Sequence, residues 1–357
     1  MDSHVVFNRV YRTDERTVSA IKTFLREIDL SIDRTIRVFV TATQAGRLVA
    51  CGGIADNIIK CVAVSPELRG EGLGLSLATE LVNLAWEMNQ TQLFLCTSTQ
   101  NESLFRQCGF YPVARVPGVM VLMENSPCRL AQYAARLAHL RKPGKKIGAI
   151  VMNANPFTRG HQYLVQQAAA ACNWLHLFLV REDTSRFRYQ DRFDLVVAGT
   201  HGITNLTIHE GSQYIISRAT FPCYFIKEKG IVDNCYTEID LKIFRQSLAP
   251  ALGITHRFVG SEPFCAVTEK YNRDMHYWLK TPLLTAPPIE LVEIERLKYK
   301  GTPISASWVR KLLPAGNMQA ISPLVPEATQ HYLERLLAKS QKTAATQNRK
   351  PDNQRTE

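Results

Sequence analysis

The hydrophobic positions of the chain recur with two different periods, and the changes of period mark its elements. Apolar residues at helical spacing fill 18–28, and short apolar runs typical of strands follow. In this first part the predicted strands are 36–41, 48–54, 58–64, 93–96 and 110–116. A long helix is predicted to end near Asn89 and a short one to begin at Asn101. The runs 48–54 and 58–64 are predicted to pair as a hairpin that turns at Asp56 and Asn57.

From Ile147 onward, short apolar runs alternate with amphipathic stretches of helical length. Such alternation predicts a doubly wound parallel sheet with helices on both faces, which binds ligands at the carboxyl ends of its strands. The predicted strands are 147–152, 174–180, 206–208, 256–259 and 289–294. The predicted helices start near Gly160, cover 190–200, 237–251 and 268–279, and start again at Ser305 and Glu327.

The length of 357 residues suits two domains rather than one core. The net charge is +11, but six bases without an acid lie in 126–146, and 338–357 holds five bases against two acids. The excess charge therefore belongs to a linker and a tail, which argues against a nucleic-acid partner. We divide the chain into a domain at 1–125, a basic linker at 126–146, a domain at 147–337, and a tail at 338–357 that is expected to be disordered.

No apolar run is long enough to span a bilayer, and the N-terminal residues lack the apolar segment of a secretory signal. We therefore expect a cytoplasmic protein without a membrane partner. The nine cysteines are scattered without a CxxC pair, so they predict neither a zinc site nor a disulfide framework.

The segment 153–161 carries the strongest chemical signal, because it joins a predicted strand to a predicted helix. The first turn of a helix has unpaired N–H donors and the positive end of the helix dipole, and both attract phosphate. Gly160 allows a ligand to approach the backbone, and His161 can donate a hydrogen bond to a phosphoryl oxygen. Far downstream, two hydroxyls and a guanidinium open another predicted helix and suit further phosphates, at Ser305, Ser307 and Arg310.

These two segments resemble the T/HxGH and ISSTxxR signatures of the nucleotidyltransferase superfamily. The chain departs from the signatures at Thr158, where many members carry His, and at Ser307, where many carry Thr. The turn 259–263 resembles the GxD turn that contacts the nucleotide. The resemblance implies a Rossmann-like domain, catalytic roles for His161, Thr158 and Arg310, and an ATP site. Its ATP-binding residues would be Asn155, Pro156, Phe157, Gly160, Gly260, Glu262, Ser305 and Ser307.

In the first domain, an Arg-Gly-x-Gly-x-Gly loop precedes the long predicted helix, and its glycines expose N–H groups that suit a pyrophosphate. With the segment 101–112 downstream, 30–120 resembles a GNAT acetyltransferase domain, an α/β fold whose loop binds CoA. The resemblance implies that a CoA-like group is bound by Arg69, Gly70, Gly72 and Gly74. The sequence offers no convincing acid–base pair for amine acetylation, which favours CoA-type binding over catalysis in this domain.

The two domains in this order, with the runs 148–157, 214–222 and 260–264, resemble the citrate lyase ligase family over nearly the whole chain except the tail. The resemblance implies that acetate reacts with ATP and Mg²⁺ to give acetyl-adenylate and pyrophosphate. The acetyl group then passes to the thiol of the CoA-like prosthetic group on the citrate lyase acyl carrier subunit.

Within that reaction, Thr158 and His161 would bind the α-phosphate. The motif at 305–310 would hold the β- and γ-phosphates with Mg²⁺, and the loop at 69–74 would grip the phosphates of the carrier's arm. The run 217–220 is either a further substrate contact or a structural loop.

Two other functions stay open from the sequence. A T/HxGH site also permits a nucleotidyltransferase that adenylates a cofactor precursor, which would give a stable dinucleotide instead of AMP. Alternatively, the first domain is an amine acetyltransferase and the second senses a nucleotide. In that case acetyl-CoA would be consumed without ATP.

Overall fold

The computed structural model describes residues 4–181, 186–215, 229–261 and 266–347, without the side chains of 229–233, 266–270 and 340–347. Glu262 and the run 217–220 lie outside the described residues. The described residues form two compact units. The first is 4–139 with 229–248, and the second is 140–215 with the described part of 249–347.

Each unit contains one large sheet and the helices that cover it. The strands are β1 (Val5–Tyr11), β2 (Val38–Gln44), β3 (Arg47–Ala55), β4 (Ile58–Val64), β5 (Phe94–Ser98), β6 (Tyr111–Val116), β7 (Met120–Glu124), β8 (Ile147–Met152), β9 (Trp174–Leu179), β10 (Leu206–His209), β11 (His256–Gly260), β12 (Glu290–Ile294), β13 (Lys298–Tyr299) and β14 (Thr302–Pro303). The helices are α1 (Glu15–Glu27), α2 (Leu73–Glu87), α3 (Glu102–Gln107), α4 (Arg129–Ala138), α5 (Arg159–Ala170), α6 (Tyr189–Gly199), α7 (Lys229–Ile243), α8 (Ala249–Leu252), α9 (Ala266–Lys280), α10 (Ala306–Leu312), α11 (Met318–Ile321) and α12 (Glu327–Gln347).

The first unit is built on a seven-stranded sheet in the order β1-β2-β3-β4-β5-β7-β6. Neighbouring strands in it are antiparallel except β4 and β5, which are parallel. The predicted hairpin of β3 and β4 is confirmed, since Ala55 pairs with Ile58 and Asp56 turns the chain with a φ of 52°.

Helices cover both faces of this sheet because its central strands are apolar on both sides. α1 packs on one face together with Phe39, and α2 packs on the other together with Val38 and Val40. Successive residues of β2 therefore point to opposite faces, as the two-residue period of a strand requires.

The parallel pair of β4 and β5 opens soon after it begins. The ladder joins only Ile58 to Phe94 and Ile59 to Leu95. Beyond these residues each strand keeps its outer partner, β3 or β7. The described sheet is therefore split at the carboxyl ends of β4 and β5, and the glycine loop at 69–74 follows β4 at this split.

Residues 229–248 pack with the first unit although they come from the second half of the chain. α7 lies against β6, and Nζ of Lys242 donates a 2.7 Å hydrogen bond to the carbonyl of Arg115. A π-helical turn at Phe244–Leu248 joins α7 to α8 just before Pro250, which has no N–H for a regular helix. The sequence-based domain 147–337 includes 229–248, whereas the structure places them in the first unit.

The second unit is built on a five-stranded parallel sheet in the order β10-β9-β8-β11-β12. This is a Rossmann-type order whose topological switch lies between β8 and β11, where such folds bind ligands beyond the carboxyl ends of the strands. Residues 153–158 follow β8 at that edge, and Gly260 ends β11 there. The predicted α/β class and the predicted parallel sheet are confirmed.

Two apolar clusters hold the helices of this unit in place. α5 and α6 pack on the sheet through Val165 and Val196, which share a cluster with Leu177 of β9. A second cluster joins α10 to α12 through Val309 and Leu333. The second cluster fixes the start of α10, which carries one of the two predicted phosphate motifs.

A fully buried arginine, Arg192 of α6, ties the carboxyl ends of β8 and β9 together. Its Nη1 donates to the carbonyl and the side-chain oxygen of Asn153 at 2.6 and 2.7 Å, and to the carbonyl of Val180 at 3.1 Å. Its Nε donates to the carbonyl of Phe187 at 3.3 Å. The guanidinium of Arg192 therefore holds the loop after β8 in place.

The sequence analysis missed β1, β7 and the small hairpin of β13 and β14. β1 is an edge strand with mostly exposed or half-exposed residues, so it lacks an apolar run. The tail at 338–357 was expected to be disordered, but its first part, 338–347, continues α12. The alanines, lysines and glutamines there are strong helix formers. Neither α12 nor another described helix is both long and apolar enough to cross a membrane.

Arg192→Met should destabilise the second unit by roughly 3 kcal/mol, because buried main-chain carbonyls would lose a charged donor. Hydrogen exchange of peptides covering β8 and β9 measures the effect, and their protection should fall. Arg188→Met changes an exposed arginine at the N-cap of α6 and should leave protection unchanged. Equal protection in the two variants would contradict the role given to Arg192.

Candidate functional site

α5 begins at the predicted motif, with Thr158 as its N-cap. Thr158 Oγ1 accepts a 3.3 Å hydrogen bond from the N–H of His161, and Nδ1 of His161 accepts a 3.1 Å hydrogen bond from the N–H of Thr158. The two residues thus form a capping box. Because Nδ1 is an acceptor, the proton of the neutral imidazole lies on Nε2, which is left to donate to a ligand.

The imidazole of His161 is neutral at physiological pH. Burial, together with the positive charges of Arg296 and Arg310, lowers the pKa of His161 to about 4. The ring also stacks on Phe157, with 5.7 Å between centroids and 15° between planes. His161 therefore contributes a hydrogen-bond donor of fixed orientation, and the positive charge of the site comes from arginines.

The side chain of Thr158 makes different contacts from the phosphate contact that the sequence predicted. Its side chain is buried, with 1% of the residue exposed, and its hydroxyl is occupied by the helix cap. Oγ1 also lies 3.0 Å from Nδ1 of His161. Thr158 therefore orients His161, while the face open to a phosphate belongs to the histidine.

Gly160 is the point at which the two motifs meet. A β-carbon at this position would lie 2.8 Å from the carbonyl oxygen of Ile304, a distance that no side chain tolerates. The sequence suggested that Gly160 admits a ligand, but its close neighbour is the backbone that leads into Ser305. Nε of Arg159 adds a second link through a 3.1 Å hydrogen bond to the carbonyl of Val325.

The second motif caps α10 and reaches back to the first. Ser305 accepts a 3.2 Å hydrogen bond from the N–H of Trp308, and its hydroxyl lies 3.0 Å from that of the exposed Ser307. Arg310 donates from Nη1 to the carbonyl of Asn155, in the loop after β8. Burial and the nearby Arg186 lower the pKa of Arg310.

The remaining predicted nucleotide residues shape the loop. Pro156 and Phe157 are buried, and the Asn155–Pro156 peptide is cis. Oδ1 of Asn155 is buried without a hydrogen-bond partner among the described residues, so a ligand donor would satisfy it. Gly260 ends β11 at the same edge of the sheet.

Sequence reasoning missed Arg296, which follows β12 at the carboxyl edge. Its Nε lies 3.5 Å from the position that a β-carbon would take on Gly260. The available signal was its place as the first base after a strand of a parallel sheet. With it, three arginines lie near the start of α5 and α10: Arg186, Arg296 and Arg310. Helix N-termini, a neutral imidazole donor and guanidinium groups together suit a polyphosphate.

The first unit holds a separate cavity of about 680 Å³ in the split between β4 and β5. Its walls are the ends of these strands, the glycine loop and α3. Gly70 and Gly72 have φ angles of 92° and 79°, and Gly72 caps α2. Among the described residues, no side chain accepts a hydrogen bond from the first turn of α2. The loop thus presents backbone donors to the cavity.

The other two predicted loop residues are also at this cavity. Nε of Arg69 donates a 3.3 Å hydrogen bond to the carbonyl of Val64, and a β-carbon on Gly74 would lie 3.4 Å from Leu104. None of the described side chains lining the cavity belongs to Asp, Glu, His, Lys or Tyr. Burial raises the pKa of the lining thiol of Cys96 far above its usual range. The cavity is therefore built to bind, without a group suited to act as a general base.

The described residues thus form a two-unit α/β protein with helix starts and arginines gathered in the second unit and a glycine-loop cleft in the first. The family model of the citrate lyase ligase C-terminal domain matches residues 147–333, and that of the GNAT acetyltransferase family matches 7–110. The chain belongs to the citrate lyase ligase family, as its similarity to curated relatives also shows.

A citrate (pro-3S)-lyase ligase of Escherichia coli K12 is 63% identical over 97% of this chain and 98% of its own length. Ligases of the same description from Klebsiella pneumoniae and Haemophilus influenzae are 52% and 47% identical. They are matched over 93% and 92% of this chain and over 96% and 98% of their own lengths. The family predicted from the sequence is confirmed.

Gly160→Ala should weaken ATP binding, although Ala normally stabilises a helix by about 0.5–1 kcal/mol relative to Gly. The added methyl would push α10 away from α5, because its obstacle is backbone. Isothermal titration with a non-hydrolysable ATP analogue measures the loss. Gly202→Ala is the matched control, since a β-carbon there meets nothing within 4 Å. Unchanged affinity in both variants would show that the contact of the two motifs is not needed.

Proposed function

We propose that the protein activates acetate with ATP as acetyl-adenylate and transfers the acetyl group to the thiol of the CoA-like prosthetic group on the citrate lyase acyl carrier subunit. The observation that carries the proposal is the meeting of Gly160 and Ile304, which brings the T/HxGH and ISSTxxR-like motifs into one anion site. Membership of the citrate lyase ligase family supports the acceptor.

The first half-reaction needs charge stabilisation more than covalent help. An acetate oxygen attacks the α-phosphorus, the bond to the bridging oxygen breaks, and pyrophosphate leaves. Nε2–H of His161 would donate to the α-phosphoryl oxygen, and Thr158 would keep the ring in that orientation. Ser305, Ser307 and Arg310 would hold the β- and γ-phosphates.

Mg²⁺ would enter with the nucleotide. The described residues contain no group of three His, Cys, Asp or Glu side chains arranged to hold a metal. Mg²⁺ commonly binds through substrate phosphates and water with few protein ligands, so the serine hydroxyls suit this arrangement.

In the second half-reaction the arm's thiolate attacks the acetyl carbonyl, the thioester forms and AMP leaves with the electron pair of the broken anhydride bond. We assign the cleft between β4 and β5 to the arm, because its loop suits the diphosphate and its open strand edges suit the amides of a CoA-like chain. The described residues that line this cleft include no side-chain base, which disfavours the alternative of an amine acetyltransferase.

The overall reaction is tested by incubating the protein with ATP, Mg²⁺, acetate and deacetylated carrier. AMP, pyrophosphate and an acetyl mass increment on the carrier are expected together. A stable dinucleotide without acetylated carrier would instead indicate adenylation of a cofactor precursor. Acetyl-CoA consumption without ATP would indicate an acetyltransferase.

His161→Ala should reduce acetate-dependent pyrophosphate exchange by roughly 10²–10³-fold, the effect of losing one preorganised donor to the reacting phosphoryl group. His201→Ala removes an exposed histidine of the same unit and should keep the wild-type rate. Circular dichroism establishes that both variants fold. A His161→Ala rate above half of wild type would remove the imidazole from the mechanism.

Gly72→Val should leave acetate-dependent pyrophosphate exchange intact and sharply reduce acetyl transfer to the carrier, because a side chain would occupy the phosphate-binding face of the loop. Gly46→Val is a matched control, since Gly46 has the same φ of 79° and the same open surroundings in the turn between β2 and β3.

Both half-reactions are measured on one preparation of each variant. If Gly72→Val and Gly46→Val behave alike, backbone strain explains the result and the cleft has no part in transfer. A loss of transfer confined to Gly72→Val supports the assignment of the arm to the first unit.

A further inference from the structure

The hairpin of β13 and β14 places Arg296 beside the second phosphate motif. Lys298 pairs with Pro303, and the N–H of Ile304 donates a 2.9 Å hydrogen bond to the carbonyl of Leu297. Extending this antiparallel register by one residue on each side sets Arg296 opposite Ser305, the N-cap of α10. Since Ile304 touches Gly160, the same register brings Arg296 to the first turn of α5.

The end of β11 lies on the other side of Arg296. Gly260 pairs with Ile294 in the parallel ladder, two residues before Arg296. Nε and Cγ of Arg296 lie 3.5 and 3.6 Å from the position of a β-carbon on Gly260, so the side chain runs across this glycine. Arg296 thus lies between the ends of β11 and the starts of α5 and α10.

We infer that Arg296 binds the α-phosphoryl group during adenylation, while Arg310 holds the departing pyrophosphate. The inference rests on the proposed function and names the residue that neutralises the reacting centre. Arg310 donates to the carbonyl of Asn155 in the loop after β8, whereas the side chain of Arg296 runs across Gly260 at the end of β11.

Charge gives the physical reason for two separate arginines. Acetate and the α-phosphoryl group are both anions, so their approach is opposed by Coulomb repulsion unless a cation lies beside the phosphorus. His161 is neutral and cannot supply that charge. A guanidinium can, because it stays protonated and donates two parallel hydrogen bonds to phosphoryl oxygens.

Two probes separate the α-phosphoryl group from the pyrophosphate. The first is 5′-O-(N-acetylsulfamoyl)adenosine, which mimics acetyl-adenylate and lacks the β- and γ-phosphates, and the second is inorganic pyrophosphate with Mg²⁺. By isothermal titration, Arg296→Gln should weaken binding of the adenylate mimic by roughly 10- to 100-fold and binding of pyrophosphate by less than about threefold. Arg310→Gln should show the reverse order.

The control and a second variant guard against misfolding. Lys298→Gln removes a neighbouring cation that is 49% exposed and paired with Glu295, and it should bind both probes as wild type does. Arg296→Lys keeps the charge without the planar fork and should retain more adenylation than Arg296→Gln. By NMR, Arg296→Gln should also raise the pKa of His161, since a positive charge beside the ring is removed.

The outcomes distinguish this inference from the proposed function. If the wild-type protein binds both probes and Arg296→Gln binds the adenylate mimic with the same affinity as the wild type, only the role of Arg296 is overturned. Wild-type protein that binds neither probe and exchanges no pyrophosphate with acetate would overturn the proposed function and this inference together. If Arg296→Gln selectively loses binding of the adenylate mimic and raises the pKa of His161, the result supports both the proposed function and the role of Arg296.

Discussion

The start of α5 and the backbone before α10 approach each other so closely that only a glycine fits between them, and the phosphate site depends on that contact. A β-carbon on Gly160 would stand 2.8 Å from the carbonyl of Ile304. Because the contact is between main chains, it sets how closely the two helix starts approach, while the apolar cluster of Val309 and Leu333 holds α10 in place. With α10 starting here, Arg310 reaches the carbonyl of Asn155 in the loop after β8.

In the proposed reaction the two units would contribute different physical properties. The second unit concentrates cations around a histidine that burial keeps uncharged, so its electrostatics favour an anion that gains charge in the transition state. The first unit offers a split sheet and a loop of backbone donors, and no base is among the described residues that line its cavity. Under the proposed division of roles, activation of the acyl group and capture of the acceptor could be optimised separately.

The bounds of a strand are predicted best from the sequence where the strand is buried and its apolar run is nearly continuous. β4 and β8 match the predicted 58–64 and 147–152, because predominantly apolar runs, with Lys60 the one charged residue in them, define both ends. β1 was missed because an edge strand needs no such run. Both motifs lie at helix starts as the sequence predicted, but the hydrogen bonds of their residues were only partly foreseen. A threonine before a helix can face a ligand or cap the helix, and burial decides that Thr158 does the latter. Arg296 is the first base after a predicted strand, but its position across Gly260 depends on the pairing of β11 with β12, which are far apart in the sequence.

The return of 229–248 to the first unit has a consequence for how the protein is made. The ribosome releases β6 early, but α7, which packs on it, follows only after β8, β9 and β10 have been synthesised. During that interval β6, an edge strand of the first sheet, is without the helix that later packs on it. The first unit therefore cannot be completed before three strands of the second have been synthesised, and a fragment that stops at the basic linker would lack α7.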